Sequence, residues 1–322
     1  VRRLVGALVV LAVAAAGCGF WVLDRLDAPG PGDERRLLIA RGQGPRDIGR
    51  QLEAAGVVAD RRLFWLAVWL DRSRPLQAGE YLVPAGASPV AIAAQMRDGR
   101  TVVRRLTVPE GLTVAQVMAL VAAAEGLVGE PPSPPPEGAL LPETYHYRWG
   151  DGRADLVQRM RRAMDEALAD AWNGRVSDLP LADPKALLTL AAIVEKETSV
   201  ADERARVAGV FVNRLRRGMR LQSDPTVVYA LTGGRGPLDR ALTRADLDRP
   251  HPFNTYQIAA LPPGPIANPG RSALRAAARP LDTDDLFFVA DGTGGHAFAR
   301  TLEEHNRNVA RWRRLQRGER SP

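Results

Sequence analysis

Two carboxylates close an apolar run, Lys185-Ala-Leu-Leu-Thr-Leu-Ala-Ala-Ile-Val-Glu-Lys-Glu-Thr198, whose spacing predicts a helix. At about 100° per residue, Leu187, Leu188, Leu190, Ile193 and Val194 share one arc, with Glu197 roughly 50° from its centre, Glu195 about 110° away and Lys196 near the opposite face. Only Glu197 is therefore expected at the core boundary. Desolvation there disfavours the charged form and raises the pKa, which suits the group to donate a proton near neutral pH. Taken alone, the same triplet also fits a solvated helix end.

Other polar groups cluster elsewhere. Leu140-Leu-Pro-Glu-Thr-Tyr-His-Tyr147 brings Glu143 and Tyr145 together with a second tyrosine and a histidine. Such mixtures line sugar sites, where rings stack on apolar sugar faces, and they equally form a tight turn plugged by a tyrosine. Downstream lie Gly218-Met-Arg-Leu-Gln-Ser-Asp-Pro-Thr-Val-Val-Tyr229, Asn254-Thr-Tyr256 and Leu261-Pro-Pro-Gly-Pro-Ile-Ala-Asn-Pro-Gly270. The last has too many prolines for a helix interior or central strand and reads as a rigid wall. His146, His251, His296 and His305 offer no pair at helical metal-ligand spacing, and there is no cysteine cluster. No nucleophile elbow or phosphate loop occurs either, so neither a metal nor a cofactor is expected.

These groups need elements to position them. Asp183 and Pro184 are a cap and first residue for the central helix. Residues 156–171 form an amphipathic helix, Val210-Phe-Val-Asn-Arg-Leu215 another, and Leu286-Phe-Phe-Val-Ala290 a strand that turns through residues 291–296 and resumes at Phe298. Nearer the N-terminus, Leu37-Leu-Ile39 and Gly79-Glu-Tyr-Leu-Val83 are strand-like, and 63–70 is helical. Gly42-Gln-Gly-Pro-Arg-Asp-Ile48, Gly86-Ala-Ser-Pro-Val-Ala-Ile92 and Gly111-Leu-Thr-Val-Ala-Gln-Val117 share one layout: a glycine, a capping or turn residue two positions on, and an apolar helix position six after the glycine. That recurrence implies one strand-to-helix unit used repeatedly. Its layout resembles the LysM-like module, a small βααβ unit that binds N-acetylated glycans.

The 322 residues carry a net charge of +7, almost all of the positive charge being arginine, since Lys185 and Lys196 are the only lysines. The arginines are dispersed, so a nucleic-acid partner is not expected; a basic exterior suits an anionic membrane or a carboxylate-bearing polymer. Residues 4–23 are uncharged and long enough to cross a bilayer as a helix. Arg2 and Arg3 precede them, which keeps the N-terminus in the cytoplasm and sends the remainder outside. A cleaved signal peptide and a lipoprotein processed at Cys18 are the alternatives. Cys18 is the sole cysteine, so the exported part is held by its core without disulfides. Residues 24–34, rich in Gly and Pro, read as a linker.

Ile193-Val-Glu-Lys-Glu-Thr198, Asn213-Arg-Leu215, Leu221-Gln-Ser-Asp-Pro-Thr-Val227, Asn254-Thr-Tyr256, Leu261-Pro-Pro-Gly264, Phe288-Val-Ala-Asp-Gly292, His296-Ala-Phe298 and His305-Asn306 occur in one order. In this the chain resembles the endolytic murein transglycosylases, the MltG or YceG-like family. The resemblance implies an α+β fold: a cytoplasmic tip (1–3), a transmembrane helix (4–23), a linker (24–34), a LysM-like βααβ domain (35–107) and a larger mixed α/β catalytic domain (108–322). It implies cleavage of the bond between N-acetylmuramic acid and N-acetylglucosamine in peptidoglycan, leaving 1,6-anhydro ends, with Glu197 as the catalytic residue. Gln222, Ser223, Asp224, Thr226, Asn254, Tyr256, Glu143 and Tyr145 are the expected substrate-positioning residues. It further implies a membrane-anchored protein working beside penicillin-binding proteins on nascent glycan strands. A hydrolytic muramidase using Glu195 or Asp224 as base, and a non-catalytic scaffold that binds glycan, remain as alternatives.

Overall fold

The computed structural model describes residues 2–317, excepting the side chains of residues 2–4 and 18. Val1 of the expected tip at 1–3 and processing at Cys18 thus lie outside what it describes, and the backbone of Arg2 and Arg3 already belongs to the first helix. The chain divides into two compact units, 1–104 with 146–151, and 105–145 with 152–322.

The first unit begins with α1 (Arg2–Asp27), apolar and long enough to cross a membrane by length and composition. There follow β1 (Arg35–Ile39), α2 (Pro45–Ala54), α3 (Arg61–Leu70), β2 (Gly79–Val83) and α4 (Pro89–Arg97). β1 and β2 pair antiparallel, Arg35 opposite Val83 and Ile39 opposite Gly79, so the order is βααβ with one further helix. Ile48, Leu52, Phe64, Tyr81, Ile92 and Met96 fill the core beneath the ladder.

Of residues 24–34, expected to be a linker, 24–27 end α1 and 28–34 are fastened to this unit. Gly30 N–H donates to Gly86 O (3.3 Å) and Gly86 N–H to Gly32 O (3.1 Å). A Cβ on Gly30 would stand 2.5 Å from Val57 O, and one on Gly32 2.5 Å from Gly56 O. The glycines serve close backbone approach here rather than flexibility.

The second unit contains β3 (Arg104–Thr107, its first residue in the other unit), α5 (Val114–Ala123), β4 (Thr144–Tyr147, its last two residues in the other unit), α6 (Arg153–Asn173), α7 (Pro184–Glu197), α8 (Arg204–Arg216), α9 (Asp224–Thr232), α10 (Arg244–Asp248), α11 (Arg271–Ala278), β5 (Phe287–Ala290), β6 (His296–Ala299) and α12 (Leu302–Gln316). β5 and β6 form an antiparallel hairpin, Phe287 opposite Ala299. The three glycine-led entries behave alike: Gly42, Gly86 and Gly111 have φ of 85°, 67° and 75°, and Ile48, Ile92 and Val117, six residues on, are buried. A positive φ at each turn is what asks for glycine.

α7 is the axis of the second unit. Asp183 Oδ1 accepts from Ala186 N–H at 2.7 Å, and Pro184 opens the helix. Residues 187–194 are all buried, enclosed by α6, α8 and α11. A strap from Leu281 to Asp285 crosses α8 on its way to the β5–β6 hairpin: Leu281 N–H donates to Ala205 O (2.8 Å), and Asn213 Nδ2 to Thr283 O (2.6 Å) and Asp285 O (3.1 Å). Gly209 permits that crossing, since a Cβ there would lie 2.5 Å from Leu281 O. Gly209→Ala is expected to destabilise the protein by about 2 kcal/mol, because the obstacle is backbone and cannot rotate away. The midpoint of denaturant unfolding measures this.

Candidate active site

α7 ends at Glu197 because Thr198 turns extended (φ −143°, ψ 132°). The Glu197 carboxyl there is half-buried and faces α9. Ser223 occupies the N-cap position of α9, where a serine ordinarily caps with its side chain, yet it makes no such bond. Its hydroxyl instead donates to Glu197 Oε1.

The loop that delivers Ser223 is pinned from three sides. Ser223 N–H donates to Thr255 Oγ1 (2.9 Å), Gln222 N–H to Thr255 O (3.1 Å), and Thr226 Oγ1 to Ser223 O (2.6 Å). Gln222 has φ 53°, the sole positive φ of a non-glycine among the described residues, a conformation that costs about 1–2 kcal/mol. Arg214, 7% exposed, restrains it: its Nη1 donates to Leu221 O (2.8 Å), Arg220 O (3.2 Å) and Gln222 Oε1 (3.4 Å), and its Nε to Leu286 O (2.6 Å).

Desolvation pushes the Glu197 carboxyl up to about 7. The Ser223 hydroxyl opposes that, the Asp224 charge adds to it, and the His296 ring and Arg214 guanidinium weakly oppose it. Glu197, Thr198 and Ser199 line one side of a cleft of about 320 Å³, with Gly292, Gly295, His296 and Trp312 opposite. Its neighbours Lys196 and Asp224 line a second cleft of about 570 Å³, with Thr113, Gln116, Tyr229 and Arg240. Tyr256 OH donates to Asp224 Oδ1 at 2.6 Å.

Glu195 differs from expectation. Its side chain is 4% exposed, Oε2 accepts from Gly270 N–H (2.9 Å), and Arg204 stands 3.6 Å from Oε1. The apolar arc misplaces it because residues 187–194 of α7 are buried all round, and the Pro-rich segment closes over the face that reads as open. That segment is a buried strut: Asn268 Oδ1 accepts from Leu140 N–H (2.9 Å) while its Nδ2 donates to Leu112 O (2.8 Å).

The remaining expected site residues divide. Ser223 and Asp224 stand beside Glu197, joined by Tyr256 through Asp224 and by Gln222 through the loop. Thr226, Asn254 and Tyr145 are scaffold rather than substrate-facing. Thr226 is fully buried and shares a hydroxyl contact with Thr255 (2.8 Å). Asn254 donates to the carbonyls of Asp246, Leu247 and Arg249. Tyr145 OH donates to Leu141 O at 2.7 Å, the tyrosine-plug reading of that segment. Glu143 pairs with Arg271 (2.7 Å) and lines neither cleft. Two residues outside the expected set belong to the site: Arg214, and His296, whose Nδ1 lies 2.7 Å from Glu203 Oε2 and whose backbone N–H donates to Glu203 Oε1.

A desolvated acid held by a serine hydroxyl, with Asp224 as its acidic neighbour, opens onto a cleft within an α+β unit. The chain matches the model of the YceG-like family over residues 37–311, and it belongs to that family. It is 29% identical to a protein of Streptococcus pneumoniae serotype 2 (strain D39 / NCTC 7466) named endolytic murein transglycosylase, covering 94% of this chain and 64% of that one. It is likewise 29% identical to a protein of the same name from Bacillus subtilis (strain 168), over 84% of this chain and 82% of that one. The fold is similar to the crystal structure of a YceG-like protein from Listeria monocytogenes, with a TM-score of 0.53 and 31% identity, covering 85% of this chain and 99% of that one.

Proposed function

We infer that the chain is a lytic transglycosylase that cleaves the β-1,4 bond between N-acetylmuramic acid and N-acetylglucosamine in peptidoglycan. The observation that carries this reading is Glu197: one carboxyl held near pKa 7 at the wall of a cleft, while its closest acidic neighbour along the helix is spent on Gly270 N–H and Arg204. A group poised near the working pH serves in both directions. Protonated Glu197 gives its proton to the glycosidic oxygen as the bond from that oxygen to C1 of the muramic residue breaks. The resulting carboxylate then takes the proton of the muramic C6 hydroxyl as O6 bonds to C1. The product carries a 1,6-anhydro ring, Glu197 ends protonated, and no water is consumed. Two-carboxylate hydrolases divide these duties between residues at set separations.

Ser223 fixes one Glu197 oxygen and so the direction of transfer. Asp224, Tyr256 and Gln222 are the proposed substrate-positioning groups, presented by the Arg214-braced loop. The names of the relatives support peptidoglycan as substrate. Anchoring by α1 with the second unit outside the cytoplasm, glycan binding by a LysM-like first unit, termination of nascent strands and work beside penicillin-binding proteins complete the proposal. The βααβ order of the first unit and the length of α1 support the first two.

The test is to incubate the protein with uncrosslinked glycan strands and identify the new ends by mass spectrometry. Anhydro-muramic ends are expected. Reducing ends would replace the proposal with a hydrolase, and strand binding without cleavage would replace it with a scaffold.

A further inference from the structure

The outer face of α3 is the largest feature of the first unit that the proposed chemistry leaves unused. Phe64 and Ala67 point into the core, while Trp65 and Trp69, one turn apart, are 39% and 50% exposed and Leu70 is 53% exposed. Arginines surround them: the Arg46 guanidinium lies 5.7 Å from the Trp65 ring centre and that of Arg72 5.3 Å from Trp69. Trp65 separates two hollows. One, of about 370 Å³, is lined by Arg46, Asp47, Arg50, Arg61 and Arg62; the other, of about 620 Å³, includes Trp69, Arg72 and Arg74. Residues 43–76 hold six arginines against four carboxylates; Arg50, Arg61 and Arg74 pair with Asp47, Glu53 and Asp98, while Arg46 and Arg72 lie against the two indoles. The charges look dispersed along the sequence, and folding α2 against α3 gathers them around the two indoles.

The geometry points to this face as a second membrane contact, docking on the anionic headgroup layer of the bilayer that α1 enters. The inference rests on α1 being an anchor. The uncharged run ends at Leu23, and Leu26 is already 2% exposed within the core of the first unit. Three helical residues advance about 4.5 Å, and residues 28–34 are fastened to the same unit, so no slack separates the span from the domain. α1 packs against α3 and α4. The unit is thus held at headgroup depth, where indole rings and arginines partition favourably. Trp21, near the end of the uncharged run of α1, likewise has an arginine beside it, Arg25 5.3 Å from its ring centre. Tethering makes the docking intramolecular, so a weak surface affinity is enough to populate it. Exposed indoles also stack on sugars; the short tether is what favours lipid.

The test reconstitutes the full chain in phosphatidylglycerol-containing liposomes with brominated acyl chains and reads tryptophan emission. Emission lost on making Trp65→Phe/Trp69→Phe reports the α3 face, and that lost in Trp21→Phe reports the anchor. The α3 signal is expected to be quenched about twofold, as for interface-level indoles, and to recover in part at high salt. If the Trp21 signal is quenched and the α3 signal is not, the protein is anchored and the docking inference falls. If neither is quenched, the anchor reading and the inference fall together. Quenching at α3 without Trp21 would remove the span and with it the tether, and would overturn the tethered docking inferred here. Shielding of the α3 signal from iodide by added glycan strands, with no quenching by brominated lipid, would identify a sugar face and overturn the inference.

Discussion

Glu197→Gln is expected to lose at least about a thousandfold in glycan cleavage, since both proton transfers run through one carboxyl, and to unfold less readily than the parent at neutral pH. The amide keeps an oxygen to accept from Ser223, so the geometry survives while the proton does not. The stability gain follows from linkage. Burial raises the carboxyl from 4.5 to about 7 in the folded protein, so the native state binds the proton more tightly than the unfolded chain. The raised pKa costs nothing below about pH 4.5, costs progressively more as pH rises, and reaches its full value above about 7. That value is at most about 3 kcal/mol, less whatever solvent in the cleft returns to the carboxylate. Denaturation midpoints of parent and variant should therefore coincide near pH 4.5 and separate by pH 8. The activity of the parent should fall as pH rises through about 7, because cleavage starts from the acid form. Glu197 adds no acidic limb, whereas a hydrolase with a separate carboxylate base would show one.

Much of this is legible in the sequence, for reasons that are local. Three turns demand a positive φ, and glycine stands at each. Asp183 and Pro184 announce the start of α7, and the break after Ala290 announces the hairpin. Glu197 was reachable because its own helix sets its angle to the core. What stayed hidden depends on partners far along the chain. The burial of Glu195 needs the strut 75 residues later that supplies Gly270. The pairing of His296 with Glu203 spans 93 residues. Residue type also fails to separate binding from bracing. Thr226, Asn254 and Tyr145 carry groups that suit a sugar, yet each spends them on protein backbone or a neighbouring hydroxyl. Arg214, within an ordinary helical run, gives no sign that backbone carbonyls will receive it.

Arg214→Met should accordingly produce the largest loss of stability among changes near the site, about 3–5 kcal/mol, because it leaves several buried acceptors without a donor. The carbonyls of Leu221 and Leu286 and the strained turn at Gln222 all rest on this one guanidinium. Arg214→Lys, which keeps the charge and part of the bonding, separates position from stability. Its loop is free to relax, Ser223 drifts from Glu197, and kcat should fall about tenfold to a hundredfold while KM changes little, since the proton donor is misaimed without loss of the clefts. The pH profile distinguishes the two variants again. The Arg214 cation helps hold Glu197 down, so Arg214→Met, if folded under the assay conditions, should shift the alkaline limb to higher pH, and Arg214→Lys should leave it nearly in place. A stable, fully active Arg214→Met protein would show that Ser223 reaches Glu197 without the brace, and that the strain at Gln222 is held by Thr255 alone.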